Sequence, residues 1–325
     1  MIVHPELRAL RRDDSPQRDA QEALHQAMAA WRAKPAVADL LASLGAFAEG
    51  ASLGDCPQLA ALFAPGNAAA QQLAADFTAA TCTALACAPL GHVPLRHFTD
   101  GTSSTLLIAR TGNVTLSLVA IDGAGLRGKP APVSASFGPN QTWEHVLAGA
   151  AEVELVECQP GGPQVAKLLR REASLAPGSI MQRDGEREAR LLRHIVGTLV
   201  SLRLQRRCEN AGVTREYDLA SGALLHQAAG NPRDSRIELM LALLGRMGRT
   251  DAAPAMAELA LGEGSTALRW QALRECLALD TQAGFRALSA VAAAPRDSLA
   301  APAGALRAQL IEAYPQLQEL APCPA

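Results

Sequence analysis

The spacing of apolar residues changes period twice along this chain. Before about residue 90 they recur every three to four positions. From Thr102 to Gln227 they alternate every second position, and from Asp234 onward the longer repeat returns. A repeat near 3.6 buries one stripe of a helix, and a repeat of two buries one face of a strand. The chain therefore reads as α+β: an antiparallel β-barrel or sandwich between an N-terminal helical region and a C-terminal helical bundle. The expected boundaries are 1–95, 96–230 and 231–325.

Local signals place the elements. Leu24, Met28 and Trp31 give an apolar stripe to a helix from Gln17 to Ala33. Lys34-Pro35 ends it, and Pro35 opens the next helix, through Phe47. Helices are expected at Pro57–Phe63 and Asn67–Cys87, with Asn67 as an N-cap. After Pro94 come strands at Thr105–Arg110, Val114–Ile121, Val133–Phe137, Trp143–Leu147, Glu152–Cys158, Ala166–Ser174, Ser179–Arg183, Ala189–Val196 and Thr198–Gln205. A last hairpin follows over Arg215–Gln227. Turns are expected at Ala148-Gly149, Pro160-Gly161-Gly162-Pro163 and Ala176-Pro177-Gly178. Beyond Asp234, five helices are expected, with Asp251, Ser265 and Asp280 as caps. Leu239, Met240, Leu243, Leu244 and Met247 line a stripe on the first of these.

Composition limits the function classes. Hydrophobic residues make up 49% and charged residues 19%, a globular balance, while aromatics are only 3%. A net charge of -2 and short basic runs, Arg170-Arg171 and Arg203 to Arg207, argue against nucleic acid. Those arginines read as solvated strand ends. Seven scattered cysteines without a Cys-x-x-Cys pair point to reduced core thiols and a cytoplasmic location. No apolar run is long enough for a membrane span, and the start, Met1 to Arg8, lacks the apolar region of a signal peptide.

The stretch Phe137-Gly138-Pro139-Asn140-Gln141-Thr142-Trp143-Glu144-His145-Val146-Leu147-Ala148-Gly149, followed by Glu152, resembles the first motif of the cupin family. Pro177-Gly178-Ser179-Ile180 resembles the turn that opens the second. The resemblance implies a small jelly-roll barrel, often holding iron, manganese or zinc, and often dioxygenase, isomerase or sugar-binding activity. The family pairs two histidines one residue apart; here Trp143 takes the first position and only His145 matches. Residues Arg236 to Tyr314, above all Ala267 to Leu273, resemble a HEAT-type helical repeat, in which an arginine and small residues face the next helix.

Two sites are possible on these residues. His97, His145, His194 and His226 would form a divalent-metal site if their strands meet inside a barrel, because three or four such donors make a tight site. Trp143 and His145 share a strand face and would instead line a metal-free pocket, indole as wall and imidazole as polar handle. The plain alternatives are a satisfied core histidine and a core-filling tryptophan. Cys208 follows two arginines that could lower a thiol pKa, but a structural thiol is the expectation. Gly123 to Lys129 is glycine-rich like a phosphate loop, but Pro130 and Pro132 preclude the helix such a loop needs, so a flexible inter-strand loop is expected. The function expected from all this is non-enzymatic binding of a small molecule or a protein partner. The alternative is a metal-dependent cupin enzyme acting on a small molecule. Neither ligand nor oligomeric state is legible.

Overall fold

A computed structural model describes residues 7–8, 10–11, 13–162, 164–208, 212–230 and 232–320. The chain divides into two compact units, Met1–Glu209 with Glu216–Leu225, and Asn210–Arg215 with His226–Ala325. The N-terminal helices thus share one unit with the strands, where the sequence reading had set residues 1–95 apart.

The first unit opens with helices α1 (Ser15–Arg32), α2 (Pro35–Ala48), α3 (Pro57–Leu62) and α4 (Ala69–Cys87). A proline stands in the first turn of each of the first three, where its missing N–H costs nothing. Leu24, Met28 and Trp31 are buried on one face of α1. Trp31 meets Phe77 of α4 edge-on at 5.1 Å, and its indole donates to Asp76 at 2.9 Å. Asn67 accepts from the Ala69 amide at 2.9 Å, beside the cap rather than at it.

The strands are β1 (His97–Thr99), β2 (Ser103–Thr111), β3 (Val114–Asp122), β4 (Ser134–Phe137), β5 (Asn140–Pro160), β6 (Ala166–Leu175), β7 (Ile180–Asp184), β8 (Glu188–Arg207), β9 (Val213–Asp218) and β10 (Leu224–Ala229). One sheet runs β1-β2-β3-β8-β5-β6, with β7 also on β5; a second runs β10-β9-β4. The pairs within the larger sheet are antiparallel. The α+β class is what the structure shows. In the loop expected from Gly123 to Lys129 lies a short helix α5 (Gly123–Arg127), its first turn held by the Asp122 carboxylate accepting from the Gly125 amide. The last residue of the turn expected at 160–163 lies outside the described residues.

Two strands are longer than their sequence pattern indicates. The segments expected as Trp143–Leu147 and Glu152–Cys158 are one strand, β5, and those at Ala189–Val196 and Thr198–Gln205 are one strand, β8. Ala148-Gly149 is not a turn. The β5–β8 ladder continues past it with register shifts at Val146/Ala148, Ala148/Ala150 and Glu152/Val153. Bulges bend strands and add twist, and here they coincide with two glycines at positive φ, Gly149 (+81°) and Gly197 (+68°). A Cβ on Gly149 would lie 2.2 Å from the Thr198 carbonyl oxygen. Only glycine allows the two strands to approach this closely while bending.

The first half of β5 pairs with β7, and the second half with β6. The apolar face of the first half packs on the N-terminal helices. Trp143, Leu202, Leu204, Leu116 and Ile108 share a core with Phe47, Leu59 and Phe77. Phe47 and Trp143 meet edge-on at 5.4 Å. The other face of the sheet carries a second core, with Val119, Val146, Val153, Ile195 and Leu199. Arg206 does not end in solvent, as the sequence suggested. It lies 4.2 Å over the Phe47 ring and donates to the Ala51 carbonyl and the Gln141 side chain.

The second unit contains α6 (Pro232–Arg246), α7 (Ala253–Leu261), α8 (Thr266–Leu279), α9 (Thr281–Ala293) and α10 (Ala300–Ala313). Ser265 and Asp280 cap α8 and α9, accepting from Leu268 and Ala283 amides. Asp251 instead pairs with Arg249. Met256, Leu273, Cys276, Phe285 and Leu288 fill the core. Arg269 is held by the Ala260 carbonyl and by both oxygens of Asp297. The stripe on α6 faces outward: Leu239, Met240, Leu243 and Met247 are all exposed, Leu239 by 71%.

Candidate functional site: an arginine cluster beside a cavity

The residues singled out in the sequence do not gather. His97 is exposed on β1 and His194 is exposed on β8, opposite Glu152. His226 is exposed in the second unit. Among the described residues, no three His, Cys, Asp or Glu side chains are placed to hold a metal ion. The donor set therefore does not fit the iron, manganese or zinc that the cupin resemblance implies. Trp143 and His145 do share a face, but it is the face under the helices. His145 Nδ1 lies 2.7 Å from the Leu62 carbonyl and Nε2 lies 3.3 Å from the Gln71 amide. A carbonyl only accepts, so Nδ1 carries the proton and Nε2 is left to accept from Gln71. This is a satisfied core histidine, and Trp143 is core filling.

At Cys208 the two preceding arginines do not activate the thiol. Burial raises its pKa, and Glu186 and Asp184 raise it further, against the pull of Arg206. Cys56 and Cys276 are buried thiols, whereas Cys82 and Cys87 are exposed.

The residue between Trp143 and His145 points the other way. Glu144 is 1% exposed, on the inner face of the bent sheet. Its Oε1 accepts from Ser201 Oγ at 2.7 Å and from Arg203 Nη2 at 3.3 Å. Its Oε2 lies 2.8 Å from Arg190 Nη1 and 3.8 Å from Arg183 Nη2. Arg203 is its direct cross-strand neighbour, and Arg183 lies on β7, two residues past its partner Met181. Arg190 comes from far away. Its register partner on β5 is Leu155, eleven positions from Glu144. On a flat sheet that separation is about 36 Å, at roughly 3.3 Å per residue. The ion pair exists because the bulges and the two glycines fold the sheet over, so that its halves face each other.

Charge in this interior is unbalanced. Three guanidinium groups meet one carboxylate, an excess of two positive charges. Burial by itself pushes Glu144 up, but Arg190, Arg203, Ser201 and Arg183 together hold its pKa at about 2. Burial and repulsion from Arg190 push Arg183 down to about 10, still protonated near neutrality. The Nε atoms of Arg183 and Arg203 are buried and have no hydrogen-bond partner among the described residues. A buried donor without an acceptor costs about 1–3 kcal/mol.

Arg183 also lines a cavity of about 330 Å³ between β7 and the far halves of β5, β6 and β8. Leu155, Leu169 and Met181 form its apolar wall, and Arg171, Glu157 and Glu188 are exposed around it. A second group, buried Glu154 with Arg170 and Arg193, forms ion pairs, and Arg170 of this group also lines the cavity. The sequence pattern does not reveal the cluster, because Arg203 belongs to a basic run that reads as a solvated strand end and Arg190 lies far from Glu144 along the chain.

No family model matches the chain, and no curated protein does. Solved structures match about a third of it. KdgF from Halomonas sp. is 16% identical, over 35% of this chain and 91% of that one, with a TM-score of 0.25. HutD from Pseudomonas fluorescens SBW25 is 20% identical over 35% and 57%, with a TM-score of 0.26. A cupin superfamily protein from Desulfitobacterium hafniense DCB-2 is 11% identical over 34% and 83%, with a TM-score of 0.24. At these values the likeness assigns neither activity nor ligand. No helix among the described residues is long and apolar enough to cross a membrane.

Proposed function

We propose that this is a non-enzymatic binding protein whose cupin-like β core holds a small molecule, with its second unit as a HEAT-like arm for a protein partner. The observation that carries the first part is the cavity beside Arg183. Its roughly 330 Å³ suits a metabolite-sized molecule, and its lining combines an apolar wall with a few convergent charged groups. The exposed row Leu239, Met240, Leu243 and Met247 favours the arm, since contiguous exposed apolar residues mark interaction surfaces. A cytoplasmic location goes with this reading. The metal-enzyme alternative has no observation in its favour, because the histidines it requires are dispersed or already satisfied.

The test is calorimetric titration of the protein with charged and uncharged metabolite-sized compounds, beside the cavity-filling variant Leu155→Trp. At least one compound is expected to bind the natural protein and not the variant. If none of either class binds, the binding reading falls. Sedimentation of the same protein against Leu239→Glu/Leu243→Glu tests the arm. Association that grows with concentration and disappears in the variant supports an interaction surface, and identical behaviour of the two counts against one.

A further inference from the structure

Resting on that binding reading, we propose that the cavity recognises its ligand by an anionic head, a carboxylate or phosphate group, seated against Arg183 with Arg190 and Arg203 behind it. Two observations converge on this. The first is the charge imbalance: a single carboxylate, Glu144, faces three guanidinium groups. Its contact with Arg190 is 2.8 Å and with Arg203 3.3 Å, but with Arg183 it is 3.8 Å, beyond hydrogen-bond reach. Arg183 is the least engaged of the three and the one that lines the cavity.

The second observation is the unpartnered Nε of both Arg183 and Arg203. A guanidinium is a rigid fork of donors matched to two oxygens of a carboxylate or phosphate. A planar or tetrahedral oxyanion in the cavity would accept from the guanidinium of Arg183, the one of the three that lines it, and lower the repulsion among the arginines. The remaining charged groups around the cavity do not cancel this. Arg170 is paired with Glu154, and Arg171 adds positive charge. Glu157 and Glu188 are the carboxylates in the lining, and both are exposed, where solvent weakens their repulsion of an anion. They suit hydroxyl or amino donors on the rest of the ligand.

The experiment is isothermal titration with inorganic phosphate, with succinate, and with butane-1,4-diol as the uncharged counterpart of succinate. Phosphate or succinate is expected to bind, and the diol not to. Arg183→Met should weaken the anion roughly tenfold or more, the loss of a charge-assisted hydrogen bond. Arg193→Met, which touches Glu154 instead, should leave it unchanged. If Arg183→Met does not fold, Arg183→Gln serves, with the same expectation. Comparable binding of the diol overturns the anionic head, as does anion affinity that neither Arg183 variant changes. If uncharged compounds bind and Leu155→Trp abolishes them, the cavity reading stands and only the anionic head falls. If nothing binds, both fall.

Discussion

A carboxylate as deeply buried as Glu144 must be held ionised by its neighbours or surrender its charge. Burial opposes ionisation and three arginines impose it, with the net result a pKa near 2 against an ordinary 4.5. Because the folded value is the lower one, the group contributes stability that is fully present above about pH 4.5. That contribution drains away as the pH falls through the folded value. The shift corresponds to about 3 kcal/mol. Removing the charge while leaving the arginines buried is costly for the same reason. Glu144→Gln is expected to lose about 3–5 kcal/mol at pH 7, measured by urea unfolding, and the gap to the natural protein should narrow near pH 2. A gap that stays constant from pH 7 to pH 2 would show that the charge is not what stabilises. Glu144 was legible in the sequence as a residue but not as a site. Alternation shows that the two faces of a strand differ. It does not show that the polar face meets water. Here the helices cover one face, and the folded sheet encloses part of the other, where Glu144 lies beside a second apolar core.

At the scale of elements, the bend in β5 and β8 brings Arg190 to Glu144. Its two glycines are not equivalent. Both have positive φ. At Gly197 nothing lies within 4 Å of an added Cβ, whereas at Gly149 that atom would meet the Thr198 carbonyl oxygen at 2.2 Å. Gly197→Ala should therefore cost only the backbone penalty, about 1–2 kcal/mol. Gly149→Ala must also push the strands apart and should cost clearly more, with a weakened Arg190–Glu144 pair. Equal losses in chemical unfolding would mean that the close approach at Gly149 is not needed for the bend. Several helices were legible because they carry their own start signal: Pro35, Pro57, Ser265 and Asp280 act within one turn. The long strands were not, because a glycine between two alternating runs has the same local signature whether the chain reverses there or bulges and continues. Which of the two occurs depends on pairing with a strand about fifty residues away.

The whole molecule consists of two units with separate cores. One core gathers Phe47, Trp143 and Leu202; the other gathers Leu273, Phe285 and Leu288. The second has its own polar anchor, Arg269 with Asp297 and the Ala260 carbonyl. Units built this way are expected to unfold as two calorimetric transitions. Acid will not tell them apart. The Asp297 carboxyl is also held below its ordinary range, chiefly by hydrogen bonds from Arg269, so both units lose stability as the pH falls. Mutation will tell them apart. Glu144→Gln and Gly149→Ala should lower one transition and leave the other in place, while a bound anion should raise that same transition alone. The cluster and the cavity both lie within the unit that Glu144 stabilises. A single transition displaced as a whole by Glu144→Gln would instead mean that the two cores unfold together, and that an anion in the first unit stabilises the second as well.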